Sequence, residues 1–142
     1  MATGDHDDIR ALLEEWMRAL RDKDADGIIN CQSATVRQFG LAPPLQETGN
    51  DKAGLQAWFD TWDGPLEFHV RDTDLRPGGD IAWCSALAWL GGTKKDGEKN
   101  GFWFRLTVAF SREDGRWLIA HIHESVPFSM EGQPLGLFDL QP

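Results

Sequence analysis

No tyrosine occurs among the 142 residues, although there are seven tryptophans and eight phenylalanines. Any mechanism in which a phenol donates to an oxyanion is thereby excluded. The indoles instead bring large apolar area with one N–H donor each. Cysteine is scarce: Cys31 and Cys84 follow no metal-ligand spacing and are expected to be buried, reduced thiols of a cytoplasmic protein. Basic side chains are outnumbered 14 to 23, for a net charge of −9. Such a field repels phosphate backbones and anionic membranes, so neither nucleic acid nor a membrane is an expected partner. No apolar run approaches the length that spans a bilayer. The start, Met1 to Asp8, lacks the basic and hydrophobic regions of a signal peptide. Repeats, linkers and low-complexity segments are also missing.

What is present reads as one domain, residues 1–142, long enough to bury roughly 68% of its unfolded surface. Ile9, Leu12, Leu13, Trp16, Met17 and Leu20 recur at helical spacing, with acids before them and Arg18, Arg21 and Lys23 after. Asp24 caps a short second helix through Ile28, Ile29 and Cys31, and residues 35–39 are a short strand ended by Pro43-Pro44. Asn50 caps a third helix with Leu55, Trp58, Phe59 and Trp62 on its inner side, stopped by Gly64-Pro65. Strand patterns follow over 66–75, 81–90, 102–110 and 117–128, joined by the turn 77–80, the loop 91–100 and the turn 112–115. Helices followed by an antiparallel meander predict an α+β fold, the helices covering one sheet face. Residues 129–142 are expected as an extended surface tail.

The third of these long strands carries Phe102, Phe104, Leu106, Val108 and Phe110 on one face and Trp103, Arg105, Thr107 and Ala109 on the other. Three helices can cover only one side. Burying those five apolar residues against a second copy predicts a homodimer through the sheet.

Period-two alternation along the last strand places Trp117, Ile119, His121, His123 and Ser125 on one face. Leu118, Ala120, Ile122, Glu124 and Val126 fall opposite. Two imidazoles and a hydroxyl on an apolar face require partners, which makes that face the candidate site.

Trp58-Phe59 with Gly64-Pro65, Gly92-Thr93 with Asp96-Gly97, residues 103–107, and Gly115-Arg116-Trp117 followed by residues 121–128 together resemble the NTF2-like superfamily. The resemblance is to its SnoaL-like, ketosteroid-isomerase-like branch and to small bacterial proteins of largely unassigned function. It spans residue 9 to about 140. It implies a cone-shaped α+β fold with three N-terminal helices on a curved antiparallel sheet, a pocket between them, and a dimer across the sheet. Members include isomerases, cyclases, dehydratases and non-catalytic binding domains, so fold alone does not set function. Departures weigh against steroid isomerisation. The helix-1 tyrosine of the best-known isomerases is matched by Trp16, and residues 35–39 contain no acid. The tyrosines that dehydratases pair with their histidines are missing, and the glutamate usual between the two histidines is Ile122.

The candidate catalytic set is therefore His123, His121 and Arg105. Imidazole titrates near neutrality and suits proton transfer, the His123 end being favoured by its nearness to Ser125. Both rings are equally readable as structural histidines. Zinc on His121-x-His123 would need further ligands, and only His6 and His69 remain as imidazoles, so no metal and no cofactor is expected. Arg105 needs an anion, either a protein acid such as Asp60, Asp63, Asp72 or Glu124, or a substrate carboxylate or enolate. Ser125, Trp16, Trp58, Trp62 and Trp103 are candidate ligand contacts, though such tryptophans are more often core. The expected partner is a small apolar metabolite with a carbonyl, isomerised, cyclised or dehydrated through proton transfer. A non-catalytic ligand-binding domain is the alternative.

Overall fold

The computed structural model describes residues 3–142, so Met1 and Ala2 of the acidic start lie outside it. Three helices, α1 (Thr3–Arg21), α2 (Ala25–Cys31) and α3 (Lys52–Phe59), accompany six strands. These are β1 (Gln32–Phe39), β2 (Glu47–Thr48), β3 (Trp62–Gly78), β4 (Ile81–Lys94), β5 (Lys99–Glu113) and β6 (Arg116–Ser125). The sheet runs β2-β1-β6-β5-β4-β3. It is mixed rather than wholly antiparallel, because β1 pairs parallel with β6.

The apolar stripe of α1 buries Ile9, Leu13, Trp16, Met17 and Leu20. At its start Asp5 grips Arg112 through two hydrogen bonds of 3.0 and 2.7 Å, fixing the helix to the end of β5. Asp24 caps α2 by accepting from the Gly27 N–H at 3.0 Å. The cap of α3 is Asp51 rather than Asn50, accepting from Gly54 N–H. That helix stops at Phe59, where the Thr61 hydroxyl donates to the Trp58 carbonyl at 2.7 Å. Trp62 and Gly64-Pro65 therefore belong to β3, whose register shifts between Asp63 and Glu67.

The strands run longer than their apolar cores. Pairing of β4 with β5 continues to Thr93↔Lys99, so the expected loop over 91–100 shrinks to a tight turn. In the inner rows small residues of β4 face large ones of β5: Ala82 with Phe110, Cys84 with Val108, Ala86 with Leu106, Ala88 with Phe104. The alternation of volumes lets the Trp16 and Met17 side of α1 settle onto the sheet in one apolar cluster.

The five apolar residues expected to seal a dimer do not do so. Phe104, Leu106, Val108 and Phe110 are at most 2% exposed and face the helices, with Phe102 packed beside them. The sheet's outer rows are instead Trp83, Ser85, Leu87 and Trp89 on β4 beside Ala109, Thr107, Arg105 and Trp103 on β5. Beyond β6 the chain has no regular element, only the bridge Phe128↔Gly136, and Phe138 meets Phe102 edge-on at 5.1 Å. Among the described residues no helix is long and apolar enough to cross a membrane.

Because Phe110 is 1% exposed and packed within this core, Phe110→Ala should cost about 3–5 kcal/mol. The thermal midpoint should fall by of order 10 °C in a calorimetric scan. An unchanged midpoint would contradict the inward placement of this row.

Candidate functional site

The end of β6 is built by an interruption of its pleat. Ala109 pairs with His121 and Phe110 with Ile119, leaving Ala120 as an extra residue. Trp117 and Ile119 thus point inward, and after the bulge so do Ile122 and Glu124. His121, His123 and Ser125 emerge on the outer face, opposite Ala109, Thr107 and Arg105. Uninterrupted alternation had put Trp117 and Ile119 on the histidines' side; the bulge separates them.

On that outer face each side chain has a definite neighbour. Nδ1 of His121 donates to the Arg37 carbonyl at 2.7 Å, since a carbonyl can only accept. The Phe39 ring stands edge-on to both imidazoles, at 4.9 Å from His121 and 5.3 Å from His123. Nε of Arg105 donates to the Ser125 hydroxyl at 3.0 Å. None of the acids weighed as its counter-ion reaches it. Asp72 serves Arg71 and Asp60 accepts from Gln56, while Glu124 points to the other face.

The tryptophans are dispersed. Trp16 is 4% exposed, and its Nε1 donates to Gln32 at 3.1 Å. Gln32 passes the chain on to Asn50 and the Ser33 carbonyl, a buried network that periodicity alone does not signal. Trp62 is buried beneath the Lys94 ammonium, which sits 3.8 Å from its ring centroid. Trp58 is half-buried against Phe59 and Trp62. Trp103 lies on the outer face, packed against His69 and Trp89. The structure therefore groups Arg105, Ser125, His121 and His123, and keeps Trp16, Trp58 and Trp62 on the helix side.

Glu124, weighed in the sequence only as a counter-ion for Arg105, stands elsewhere. It pairs with Leu106 on the inner face, beyond Ile122. Burial pushes its carboxyl from the ordinary 4.5 up to about 7, with no charge or hydrogen bond offsetting the cost. An open groove of about 540 Å³ runs past it, lined by Phe39, Gly40, Leu45, Gln46, His123 and Glu124. A carboxylic acid and an imidazole thus flank one opening. The signal in the sequence was an acid between Ile122 and Val126, on the strand's more apolar side. Neither thiol competes for chemistry: burial raises Cys31 to about 11 and raises Cys84 as well, so both stay protonated. Among the described residues no three His, Cys, Asp or Glu side chains converge to hold a metal ion.

A carboxyl that is easier to ionise unfolded than folded gives a definite pH dependence. Its favourable contribution is whole below about pH 4.5 and is lost as pH rises through about 7, where the folded state must bury a charge. Glu124→Gln should equal the wild type near pH 5 and exceed it by about 2 kcal/mol at pH 8 in urea unfolding. Parallel pH profiles for the two chains would refute the burial of this carboxyl.

Residues 9–129 match the family model described as a SnoaL-like domain. A comparison with curated proteins yields no match. Among solved structures, an NTF2-like protein of unknown function from Pseudomonas putida KT2440 is 34% identical, with a TM-score of 0.87 over 100% of this chain and 99% of that one. A ketosteroid isomerase-like protein from Erwinia carotovora atroseptica SCRI1043 is 16% identical, with a TM-score of 0.74 over 87% and 97%. The association domain of CaMKII from C. elegans is also 16% identical, with a TM-score of 0.66 over 87% and 96%. The last two show a shared fold alone. By its family model and its likeness to the Pseudomonas protein, the chain belongs to the SnoaL-like domain family and has the NTF2-like fold.

Proposed function

We propose that this protein binds a compact apolar molecule bearing a carbonyl in the groove at the ends of β1 and β6, and moves protons on it. The observation that carries the reading is Glu124, a largely buried carboxyl beside that groove, which burial lifts to about 7. As the neutral acid it hydrogen-bonds the carbonyl oxygen and donates its proton there. His123, which lines the same groove, accepts the proton from the adjacent carbon. With a conjugated ketone the product is a dienol; His123 returns its proton to a different carbon while the enol hydroxyl gives its proton back to Glu124, which restores the carbonyl and completes an isomerisation. His121, held on the Arg37 carbonyl, positions the strand end rather than touching the ligand.

The openness of the groove favours the second reading, a binding domain without turnover, because water is not excluded from it. Hydrogen–deuterium exchange of 2-cyclopentenone in D2O, followed by NMR, separates the two. Wild type should accelerate exchange, and the rate should fall above about pH 7 as Glu124 ionises. Glu124→Gln should lose about 100-fold. Saturable binding with no exchange at any pH would leave the non-catalytic reading standing.

The outer face supports self-association. Trp83 is 45% exposed and Ile81 68%, beside Leu87, Trp89 and Trp103. A patch of this kind on a sheet is the surface a second copy would cover. The related fold of an association domain is consistent with that use. In sedimentation velocity the wild type should run as a dimer and Trp83→Glu as a folded monomer. A wild-type monomer at micromolar concentration would overturn this assembly.

A further inference from the structure

We infer that Phe138 fills a site for a ligand's aromatic ring at the exposed end of the core's aromatic row, and that residues 129–142 are a strap that swings away when such a ring takes its place. The inference goes beyond the proton-transfer reading and does not rest on it. Four rings lead outward from beneath α1. Trp16 meets Phe68 edge-on at 5.6 Å, Phe68 lies 6.2 Å from Phe104, and Phe104 lies 5.7 Å from Phe102. Phe138 is the fifth, standing at 88° to Phe102 with centroids 5.1 Å apart. Trp16, Phe68 and Phe104 are at most 4% exposed and belong to the core. Phe102 is half-buried on the helix side of the sheet, paired with Leu90, and so lies away from the outer rows that carry Trp83 and Trp103. Edge-to-face contact is a geometry aromatic pairs prefer, and Phe102 can offer it to a ligand ring as it does to Phe138.

The present occupant is lightly held. Phe138 is itself 48% exposed, and Leu135, three residues before it, 65%. The Ser129 N–H donates to the Leu135 carbonyl and the Leu137 N–H to the Pro127 carbonyl, both at 2.8 Å. Among the described residues no hydrogen bond ties 129–142 to a helix or to the sheet. A segment with few buried apolar contacts and exposed backbone bonds opens at far less cost than the core unfolds. Its seat also depends on Gly136. A Cβ there would stand 3.0 Å from Phe138 Cε2 and 3.4 Å from Val126 Cγ2, so a larger side chain presses the ring off Phe102. Glu131 and Asp139 border the open groove along the strap, and no basic residue lines it. An anionic ring is therefore disfavoured, and the fitting ligand is an uncharged aromatic molecule.

Fluorescence titration of the full chain with N-phenyl-1-naphthylamine, a neutral aromatic probe, tests the site. The wild type should bind it weakly, because the probe must first displace Phe138. Phe138→Ala and Gly136→Val, which empty the seat beforehand, should each bind at least about fivefold more tightly with the cooperative melting transition kept. Adding Phe102→Leu to Phe138→Ala, which keeps apolar bulk and removes the receiving ring, should return the affinity to the wild-type range. Amide hydrogen exchange checks the strap in the wild type alone: the Leu137 N–H should exchange at least about 100-fold faster than that of Leu106 in β5. Equal affinity in the wild type and both single variants, or a gain that survives Phe102→Leu, would overturn the site. Leu137 exchanging no faster than Leu106 would overturn the strap. Dissociation of a wild-type dimer by Phe138→Ala would also sink the proposal, because the ring would then serve assembly with a second copy.

Discussion

Between the pairs Ala109↔His121 and Phe110↔Ile119, β6 holds one residue more than β5, and the faces of everything that follows depend on it. Before the bulge Trp117 and Ile119 close the core beneath α1; after it Ile122 does so, at 3% exposure. Burying these side chains is worth about 1.5–3 kcal/mol each, which pins the register of the strand on both sides of the irregularity. The polar residues have no such voice. His121, His123 and Ser125 go outward and Glu124 inward because their apolar neighbours are already committed. The grouping of polar side chains at the end of this strand is thus a by-product of core packing.

That dependence explains what could be read in advance and what could not. The apolar stripe of α1, the cap at Asp24 and the order of the long strands follow from period and turn chemistry, which are local. The faces of β6 do not, since a bulge leaves no mark in a run such as Trp117-Leu118-Ile119-Ala120. Trp62 looked helical because its spacing from Trp58 and Phe59 suits a helix, yet it opens β3 once Thr61 has closed α3. Gln32 reads as an ordinary polar residue at a helix end. Only tertiary packing brings it beneath Trp16, where it satisfies the indole N–H. Glu124 was read only as an acid that could pair with Arg105, because alternation does not tell what packs against the opposite side of its strand.

Elsewhere the acid excess is managed by pairing. Arg18 alone meets Glu15, Asp22 and Asp24, all at the surface. Such pairs contribute little to stability individually, but they keep a chain of net charge −9 from concentrating its repulsion at one helix end. Arg112 does more, because its partner Asp5 is only 14% exposed and ties α1 to the far end of the sheet. The Arg112 guanidinium holds the Asp5 carboxyl below its usual range, against the opposing pull of burial. Glu124 shows the contrary balance: burial pushes its carboxyl up, with no cation beside it.

Arg105 and Glu124 are nearly neighbours, on adjacent strands and offset by one residue, yet the sheet lies between them. A slip of β6 by one position would bring them to the same row and let them pair. The slip is refused because it would turn Ile122 out of its place against Val108 and Glu124 away from Leu106. An exposed ion pair returns about 0–1 kcal/mol, less than the burial of Ile122 alone provides. Hydrophobic register therefore holds the carboxyl and the guanidinium apart on the two faces of one sheet end. Each goes without the partner the other would have been: burial alone acts on the Glu124 carboxyl, and the Arg105 guanidinium keeps the Ser125 hydroxyl.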